Sequence, residues 1–260
     1  MDKKNYKYIY GPVPSWRLGS SLGIDPLSVK DKVCPFDCVY CQIGKTKCLT
    51  DKRKIFVKTE DIITEFKSLP PLEIDYITFS GTGEPTLAKN LGEMIKEIKK
   101  IKKQDTKIAV LTNSALLNDK TVREDLFSAD FVAAKLDAVQ DDIFQAVNKP
   151  MKNLKLETII KTIKKFKNDY NGKFALQIMF MPDNKKYAKE LGCAAREIVP
   201  DEVQLNTPLR PQRIKPLTRD EMRDIKQYFE GLNIISVYDA VKKDVKPVSA
   251  HDTMKRRGKV

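Results

Sequence analysis

EIDYITF (residues 73–79) runs directly into SGTGEPT (residues 80–86), and an amphipathic segment follows at residues 87–103. The first part alternates in polarity and is rich in β-formers, which predicts a strand. In the third part Leu91, Met94 and Ile98 recur at helical spacing, which predicts a helix. A strand, a glycine-containing turn and a long helix are the parts of a parallel β–α–β unit. This stretch therefore predicts an α/β protein with a parallel sheet.

The same alternation of strand and helix repeats along the chain on both sides of this unit. Further strands are predicted at residues 20–25, 107–112, 130–135, 174–181 and 203–206. Helices are predicted between them at residues 59–69, 118–127, 141–147, 153–168 and 184–198. Six strands are too few for a closed eightfold barrel. The predicted fold is therefore α/β, an open, partial (β/α)6 TIM-like barrel.

Residues 217–260 are predicted to form a C-terminal extension of this barrel. The segment from Thr218 to Glu221 has the form of a capping box, which predicts a helix from there to about Gly231. One more strand is predicted at residues 232–238, and the basic tail at residues 251–260 is expected to be mobile. Residues 1–17 are predicted to be a separate N-terminal segment, which leaves residues 18–216 for the barrel.

The composition predicts a globular protein with a basic surface. Lysine and arginine outnumber aspartate and glutamate by 48 to 35 among 260 residues, which gives a formal net charge of +13. This excess favours a polyanionic partner, usually nucleic acid, or is simply a lysine-rich solvated surface. The N-terminus lacks the apolar core of a signal peptide, and no apolar run approaches the ~18 residues of a membrane span. We therefore expect a cytoplasmic protein with no membrane partner and with reduced thiols.

Three of the five cysteines, Cys34, Cys38 and Cys41, lie within eight residues in a C-x3-C-x2-C pattern. This spacing places three sulfurs on one small loop, close enough to bind one metal centre. A structural zinc site usually has four protein ligands, and an ordinary iron–sulfur cluster has four thiolates. A cubane held by three cysteines would leave one iron open to a substrate or cofactor. The alternative is a zinc site that takes Cys48 as its fourth ligand.

The other two cysteines and the single histidine give weaker indications. Cys48 lies in a polar loop and could be a fourth ligand or a radical-relay thiol, but an incidental loop cysteine is the favoured interpretation. Cys193, beside two alanines on a predicted helix, is expected to be a small core residue. His251 lies near the tail, so histidine-based acid–base catalysis has no candidate in the predicted barrel.

Polar residues stand at the carboxyl ends of the predicted strands, where ligands bind in parallel α/β folds. The first strand leads to the cysteines, and the second leads to residues 80–86. The later strands offer Thr112, Asn113, Ser114, Lys135, Asp137, Gln177, Asn206, Thr207 and Arg210.

The turn at residues 80–86 has the composition of a ligand-binding loop. Gly81 and Gly83 allow the backbone to approach a ligand closely. Glu84 adds a carboxylate that could hold an ammonium group, and Pro85 begins the next helix. A ligand with both an amine and a carboxylate would suit this turn, and a simple glycine-rich connection is the alternative.

The N-terminal segment contains the only tryptophan, Trp16, followed by Arg17. If the strand at residues 20–25 delivers the chain to the cysteines, these two side chains would lie near the metal. The favoured interpretation is instead a packed N-terminal loop.

The cysteine pattern, with Tyr40 before the third cysteine and Gly83-Glu84-Pro85 after the next strand, resembles the radical S-adenosylmethionine (SAM) superfamily. The resemblance covers about residues 18–210. It implies that the three cysteines hold a [4Fe-4S] cluster whose open iron chelates the amine and carboxylate of SAM. It also implies that one electron, from a donor such as flavodoxin or ferredoxin, cleaves SAM. The usual result is a 5′-deoxyadenosyl radical that removes a hydrogen atom from substrate.

The resemblance also implies individual SAM contacts. The segment Thr82–Pro85 matches the motif that holds the SAM amino group, with threonine at a position where glycine is more usual. Tyr40 would stack near the adenine. Further candidates, for contacts to the carboxylate and the ribose, are Thr112, Asn113 and Asp137.

More narrowly, GPVPSWRLGSSLGIDP (residues 11–26) and LNTPLRP (residues 205–211) are similar to a branch of iron–sulfur oxidoreductases related to the tRNA enzymes that build wybutosine. Those enzymes carry further cysteines ahead of the radical motif, whereas no cysteine precedes Cys34 here. The resemblance implies a radical SAM oxidoreductase or transferase, with RNA slightly favoured as its substrate. A small metabolite or a partner protein is the alternative substrate. The non-enzymatic alternative is a four-cysteine zinc protein that binds nucleic acid.

Overall fold

The predicted alternation of strands and helices is present in the computed structural model, which describes residues 6–210, 214–241 and 243–257. The strands and helices in chain order are β1 (Ile9–Ser15), β2 (Gly19–Ile24), β3 (Val33–Cys34), β4 (Cys48–Leu49), α1 (Thr59–Lys67), β5 (Tyr76–Phe79), α2 (Leu91–Ile101), β6 (Lys107–Thr112), α3 (Lys120–Leu126), β7 (Phe131–Lys135), α4 (Asp141–Val147), α5 (Leu156–Asp169), β8 (Lys173–Met179), α6 (Ala188–Ile198), β9 (Glu202–Asn206), α7 (Arg219–Lys226), β10 (Ile234–Ser236) and α8 (Ala250–Arg257). Within the described ranges, no helix is both long enough and apolar enough to cross a membrane.

The described residues form one sheet of eight strands in the order β1-β2-β5-β6-β7-β8-β9-β10, beside a small pair, β3 and β4. From β2 to β10 every neighbouring pair is parallel, and only β1 runs antiparallel to its neighbour. The curled sheet confirms the predicted partial TIM-like barrel. It also runs across residues 17 and 216, so the predicted domain limits at those positions stay a prediction.

Alternate residues of the parallel strands enter two different apolar clusters, which is why these strands are so uniformly hydrophobic. One set, including Val110, Val132 and Leu176, packs in the large core together with the helices. The opposite set includes Ala109 and Ala175 and forms a small separate cluster. That second set, which also contains Phe131, lies on the inner face of the curled sheet.

The N-terminal segment differs from the prediction in one respect. Strand β1 forms the edge of the sheet, and Trp16 and Arg17 lie in the turn between β1 and β2. That turn is at the amino end of the parallel strands, whereas the cysteines follow their carboxyl ends. The favoured interpretation, a packed N-terminal loop, is therefore correct, and the alternative position beside the cysteines is wrong. Arg17 reaches into the sheet's inner face, where its Nη1 donates to Gln177 Oε1 at 2.7 Å.

The expectation of a mobile basic tail is also wrong for the part that the structure describes. Residues 250–257 form α8, which packs beside β1. The Asp252 carboxylate accepts a hydrogen bond from Tyr6 N at 3.0 Å, and Thr253 Oγ1 accepts one from Gly11 N at 3.0 Å. These contacts satisfy backbone N–H donors along the N-terminal edge of the sheet. The basic composition of the tail does not reveal this role. Residues 258–260 lie outside the described residues.

Arg256 attaches α8 to the loop that follows β2. Its side chain is 3% exposed, and its Nε lies 3.5 Å from a carboxylate oxygen of the equally buried Asp25. The Arg256 guanidinium also donates to Ser28 Oγ at 3.1 Å and to the carbonyl oxygen of Lys7. The C-terminal helix therefore supports the carboxyl end of β2.

Arg256→Met should lower the free energy of unfolding by about 3–5 kcal/mol, because it leaves the buried Asp25 carboxylate without its cation. The matched control is Arg223→Met, which removes an exposed ion pair to Asp220 and should cost less than about 1 kcal/mol. Urea unfolding of the metal-free protein measures both values. Equal losses in the two variants would contradict the role assigned to α8.

A short parallel bridge joins the cysteine segment to the turn after β5. Val33 N donates to Thr82 O at 3.4 Å, and Glu84 N donates to Val33 O at 3.2 Å. The two backbones are so close that a Cβ atom on Gly83 would lie 1.9 Å from Val33 O. Only glycine fits at this position, and the first cysteine is placed by that contact.

Gly83→Ala should lower the free energy of unfolding by about 1–3 kcal/mol, because the added methyl group forces two backbones apart. It should also accelerate the reaction of buried Cys34 with a thiol reagent in the metal-free protein. Gly231→Ala is the control, since its Cβ would meet open space and only its φ of +84° opposes the change, at a cost of about 1–2 kcal/mol. Unchanged labelling of Cys34 in Gly83→Ala would contradict the bridge as the element that places this cysteine.

Candidate active site

The three clustered cysteines line one cavity of about 160 Å³ at the carboxyl edge of the sheet. The predicted cofactor residues that line it with them are Tyr40, Gly83, Glu84, Thr112, Asn113 and Asp137. Thr82 and Pro85 are buried in the same turn but are not among the lining residues. Of the other predicted strand-end residues, Lys135 lines the cavity, whereas Gln177 and Arg210 do not.

Two amide side chains donate hydrogen bonds to the cysteine sulfurs. Asn113 Nδ2 lies 3.3 Å from Cys34 Sγ, and Asn148 Nδ2 lies 3.6 Å from Cys38 Sγ. Burial raises the pKa of both thiols above the ordinary value, although Lys32 opposes the shift at Cys34 and Lys135 opposes it at Cys38. Metal binding at these sulfurs would therefore release protons.

Lys32 brings a buried positive charge to the three cysteines. Its side chain is 6% exposed, and its Nζ donates to Gly44 O at 3.2 Å. Burial lowers the pKa of this ammonium group, but the sulfurs of Cys41, Cys34 and Cys38 raise it more, so that the net shift is upward. Sequence reasoning missed Lys32, and its position two residues before the first cysteine is the signal that could have found it.

The Glu84 carboxylate is fully engaged by the chain itself. It is 3% exposed and accepts hydrogen bonds from Thr86 N at 3.2 Å, Thr86 Oγ1 at 2.8 Å, Thr112 Oγ1 at 2.7 Å and Asn113 N at 2.7 Å. Burial raises its pKa, and these hydrogen bonds oppose that shift. Glu84 thereby ties the turn after β5 to the end of β6, so its main contacts are with the protein.

Thr82 is directed toward Asp25, which explains how this turn tolerates a threonine. Thr82 Oγ1 donates to the Asp25 carboxylate at 2.8 Å, and Thr82 N approaches the same oxygen at 3.2 Å. The preceding Gly81 has a φ of +153°, and a Cβ there would lie 2.3 Å from Asp25 Cγ. The buried aspartate therefore fixes the shape of the turn from behind the cavity.

Tyr40 and Asp137, predicted to contact different parts of one cofactor, contact each other. The Tyr40 hydroxyl donates to Asp137 Oδ2, which also accepts from Asn148 Nδ2 at 2.8 Å. Lys135 Nζ donates to the Tyr40 hydroxyl at 2.7 Å and lies 4.2 Å from the ring centroid. Burial, followed by the negative charge of Asp137, raises the pKa of Tyr40 well above the ordinary value. Asn148 was missed because it follows α4 in no recognisable motif.

The other two cysteines, Cys48 and Cys193, lie outside this cavity. Cys48 is exposed on β4 and does not line the cavity. Cys193 is exposed on α6, so its assignment to the core is wrong; the buried face of that helix carries Leu191 and Ala195 instead. Cys48, the fourth ligand of the alternative zinc site, therefore lies outside the cavity that the other three cysteines line.

The spacing of the three thiols bears on the kind of centre that they could hold. Among residues 6–210, 214–241 and 243–257, no three Cys, His, Asp or Glu side chains are close enough together to surround one metal ion. Ligands of one zinc ion all lie about 2.3 Å from it when they are thiolates. Cubane ligands each bind a different iron, and therefore lie farther apart. Three cysteine thiols, two of which accept hydrogen bonds from amide side chains, are a donor set that suits an iron–sulfur cluster.

Comparison with known proteins agrees with this geometry. The profile of the Radical SAM superfamily matches residues 32–191. A relative from Synechocystis sp., the UPF0026 protein slr1464, is 45% identical over 217 residues, which make up 82% of this chain and 78% of the relative.

Solved structures of low sequence identity share the fold. Streptococcus suis SuiB bound to S-adenosylmethionine superposes with a TM-score of 0.64 at 16% identity, covering 84% of this chain and 50% of SuiB. This chain thus spans half the length of that protein. Archaeal TYW1 superposes with a TM-score of 0.58 at 15% identity, covering 90% of this chain and 78% of TYW1. The 45% identity of the Synechocystis relative places this chain among the UPF0026 proteins. The profile match over more than half of the chain shows that this protein belongs to the radical SAM superfamily.

Proposed function

We propose that this radical SAM enzyme holds a [4Fe-4S] cluster on Cys34, Cys38 and Cys41 and binds SAM in the adjoining cavity. The observation that carries the proposal is the meeting of the three thiols with the turn after β5 in one cavity. Membership of the superfamily implies both cofactors. A bound cluster would supply the single electron that cleaves SAM, and the protein would supply position and protection from solvent.

The contacts in the cavity support the assignment of different groups of SAM to different residues. Because Glu84 already accepts four hydrogen bonds, we assign the ammonium group to the backbone carbonyls of Gly81 and Gly83, which line the cavity. Asn113 contacts both Glu84 and Cys34, and we assign the SAM carboxylate to this residue. Tyr40 and Asp137 form the opposite wall, which we assign to the adenine and ribose.

RNA is the substrate class that we favour, and the overall reaction is an oxidoreduction or a group transfer on it. The formal charge of +13 supports a polyanion, and archaeal TYW1 has the same fold. Contacts to phosphates of single-stranded RNA should lower log affinity with log salt at a slope of about −0.7 per contact. A flat salt response would instead favour a small metabolite. A protein of the flavodoxin or ferredoxin class is the proposed electron donor.

Replacing any one of Cys34, Cys38 and Cys41 by alanine should abolish a stable cluster, because each thiolate holds a different iron. Cys48→Ala and Cys193→Ala are matched controls, since both thiols are exposed and outside the cavity. Iron and sulfide content after anaerobic reconstitution measures the result, with near four iron atoms per chain expected in the controls.

The same preparations test the reaction. Reduced control variants incubated with SAM should release 5′-deoxyadenosine, and the three cavity variants should not. One zinc per chain and no sulfide in the unmodified protein would overturn the proposal, as would loss of the cluster in Cys48→Ala alone.

Lys32→Met should lower the midpoint potential of the cluster, because reduction adds negative charge beside an ammonium group that the variant lacks. A tenfold change in the reduction equilibrium corresponds to about 59 mV for one electron. Lys32→Arg keeps the charge and should restore most of the potential. Redox titration followed by electron paramagnetic resonance (EPR) gives the values, and equal potentials in Lys32→Met and the unmodified protein would contradict the assignment.

A further inference from the structure

The backbone of the cysteine loop is covered on the side away from its sulfurs by residues 45–52. Thr50 N donates to Cys34 O at 3.2 Å, and Thr46 Oγ1 donates to Phe36 O at 2.7 Å. The cysteine side chains line the cavity, whereas these loop carbonyls face the covering segment. The segment is therefore the outer wall of the proposed cluster site.

A second segment, residues 149–152, continues the same cover. Met151 N donates to Pro35 O at 3.0 Å, and Asp37 N donates to Lys149 O at 3.1 Å. The loop after α4 is thus attached directly to the backbone between the first two cysteines. Both segments are therefore hydrogen-bonded directly to the backbone of the cysteine loop.

These two segments present a strongly basic surface, which we call the loop-cover surface. Its five exposed lysines are Lys45, Lys47, Lys52, Lys149 and Lys152. The only acidic residue within the two segments is Asp51, whose carboxylate accepts a hydrogen bond from Asn153 at 2.7 Å. In the part of the chain that the structure describes, none of the five lysines forms an ion pair.

An apolar side chain lies among these charges. Leu49 on β4 is 46% exposed, although it pairs with Cys34 in the small parallel sheet. A central apolar contact within a charged rim is the ordinary composition of a transient protein interface. The surface thus combines the long-range attraction and the short-range contact that an acidic protein partner needs.

The position of the loop-cover surface suits an electron donor better than a substrate. None of the five lysines lines the cavity, whose own lysines are Lys32 and Lys135. A substrate must reach the cavity, where SAM is cleaved. A donor has only to approach the cluster, and the shortest route that leaves the cavity free is through its outer wall.

We propose that the loop-cover surface is the docking site of an acidic one-electron donor protein of the flavodoxin or ferredoxin class. The donor loses one electron and the cluster gains it, with no transfer of a proton or group. This proposal rests on the proposed function, because it requires a cluster on the three cysteines. Opposite charges on the two surfaces raise the association rate by about 10- to 1000-fold, an effect that salt weakens.

The test compares two triple variants with the same change of net charge. Lys45→Glu/Lys47→Glu/Lys149→Glu reverses the loop-cover surface. Lys96→Glu/Lys165→Glu/Lys189→Glu changes exposed lysines on the outer helices α2, α5 and α6. Cluster reduction is followed by stopped-flow absorbance with reduced bacterial flavodoxin or ferredoxin, and separately with dithionite. Calorimetry of flavodoxin and ferredoxin binding to the oxidised protein at several salt concentrations gives a readout that is independent of reduction.

The loop-cover triple should be reduced at least about tenfold more slowly by the protein donor, with weaker and less salt-sensitive binding. The helix triple should stay within about twofold of the unmodified protein, and dithionite should reduce all three alike. Equal donor rates in the two triples, or no reduction of the unmodified protein by either donor, would overturn the docking site. Loss of total tRNA binding in the loop-cover triple with unchanged donor rates would assign the surface to nucleic acid instead. A chain that forms no cluster and is not reduced by dithionite would refute the proposed function itself.

Discussion

The parallel bridge between Val33 and the turn at Thr82–Glu84 is the contact on which the site depends. It sets the first cysteine against the end of β5, and it exists because Gly83 has no Cβ to hold the two backbones apart. Glu84 extends the same contact to β6 through its hydrogen bonds to Thr112 and Asn113. Three separate chain segments thus meet at one cavity, and buried polar contacts join them there.

Two lysines, the buried Lys32 and the half-buried Lys135, bring positive charge to the cysteines. Lys32 lies beside all three sulfurs, and Lys135 lies between Tyr40 and Cys38. Burial alone would disfavour thiolates, and a bound cluster would bring further negative charge into the same space. The two ammonium groups offset part of that charge. Tyr40 and Asp137 both lie beside the Lys135 ammonium group, and this explains why the two also contact each other.

The hydrophobic pattern of the sequence was sufficient to predict the parallel strands and their helices, because strands buried on both faces are continuously hydrophobic. It missed β1, whose proline and glycine residues conceal an antiparallel edge strand, and for that reason it left a position of Trp16 near the cysteines open as an alternative. It also missed α8, whose support for β1 depends on Asp252 and Arg256 and not on apolar spacing. Spacing predicted Cys34, Cys38 and Cys41 as one set of ligands because they lie close together in the sequence, and the structure brings them to one cavity. Asn148 joins them only through the fold, so no local pattern could indicate it.

The central claim is that three cysteines leave one iron of a cluster open to SAM. EPR of the reduced protein, recorded before and after SAM is added at low temperature, tests this most directly. The account predicts a [4Fe-4S] signal whose g values shift when SAM binds at the open iron, in the unmodified protein and equally in Cys48→Ala. A cluster signal that SAM leaves unchanged in both proteins would contradict it.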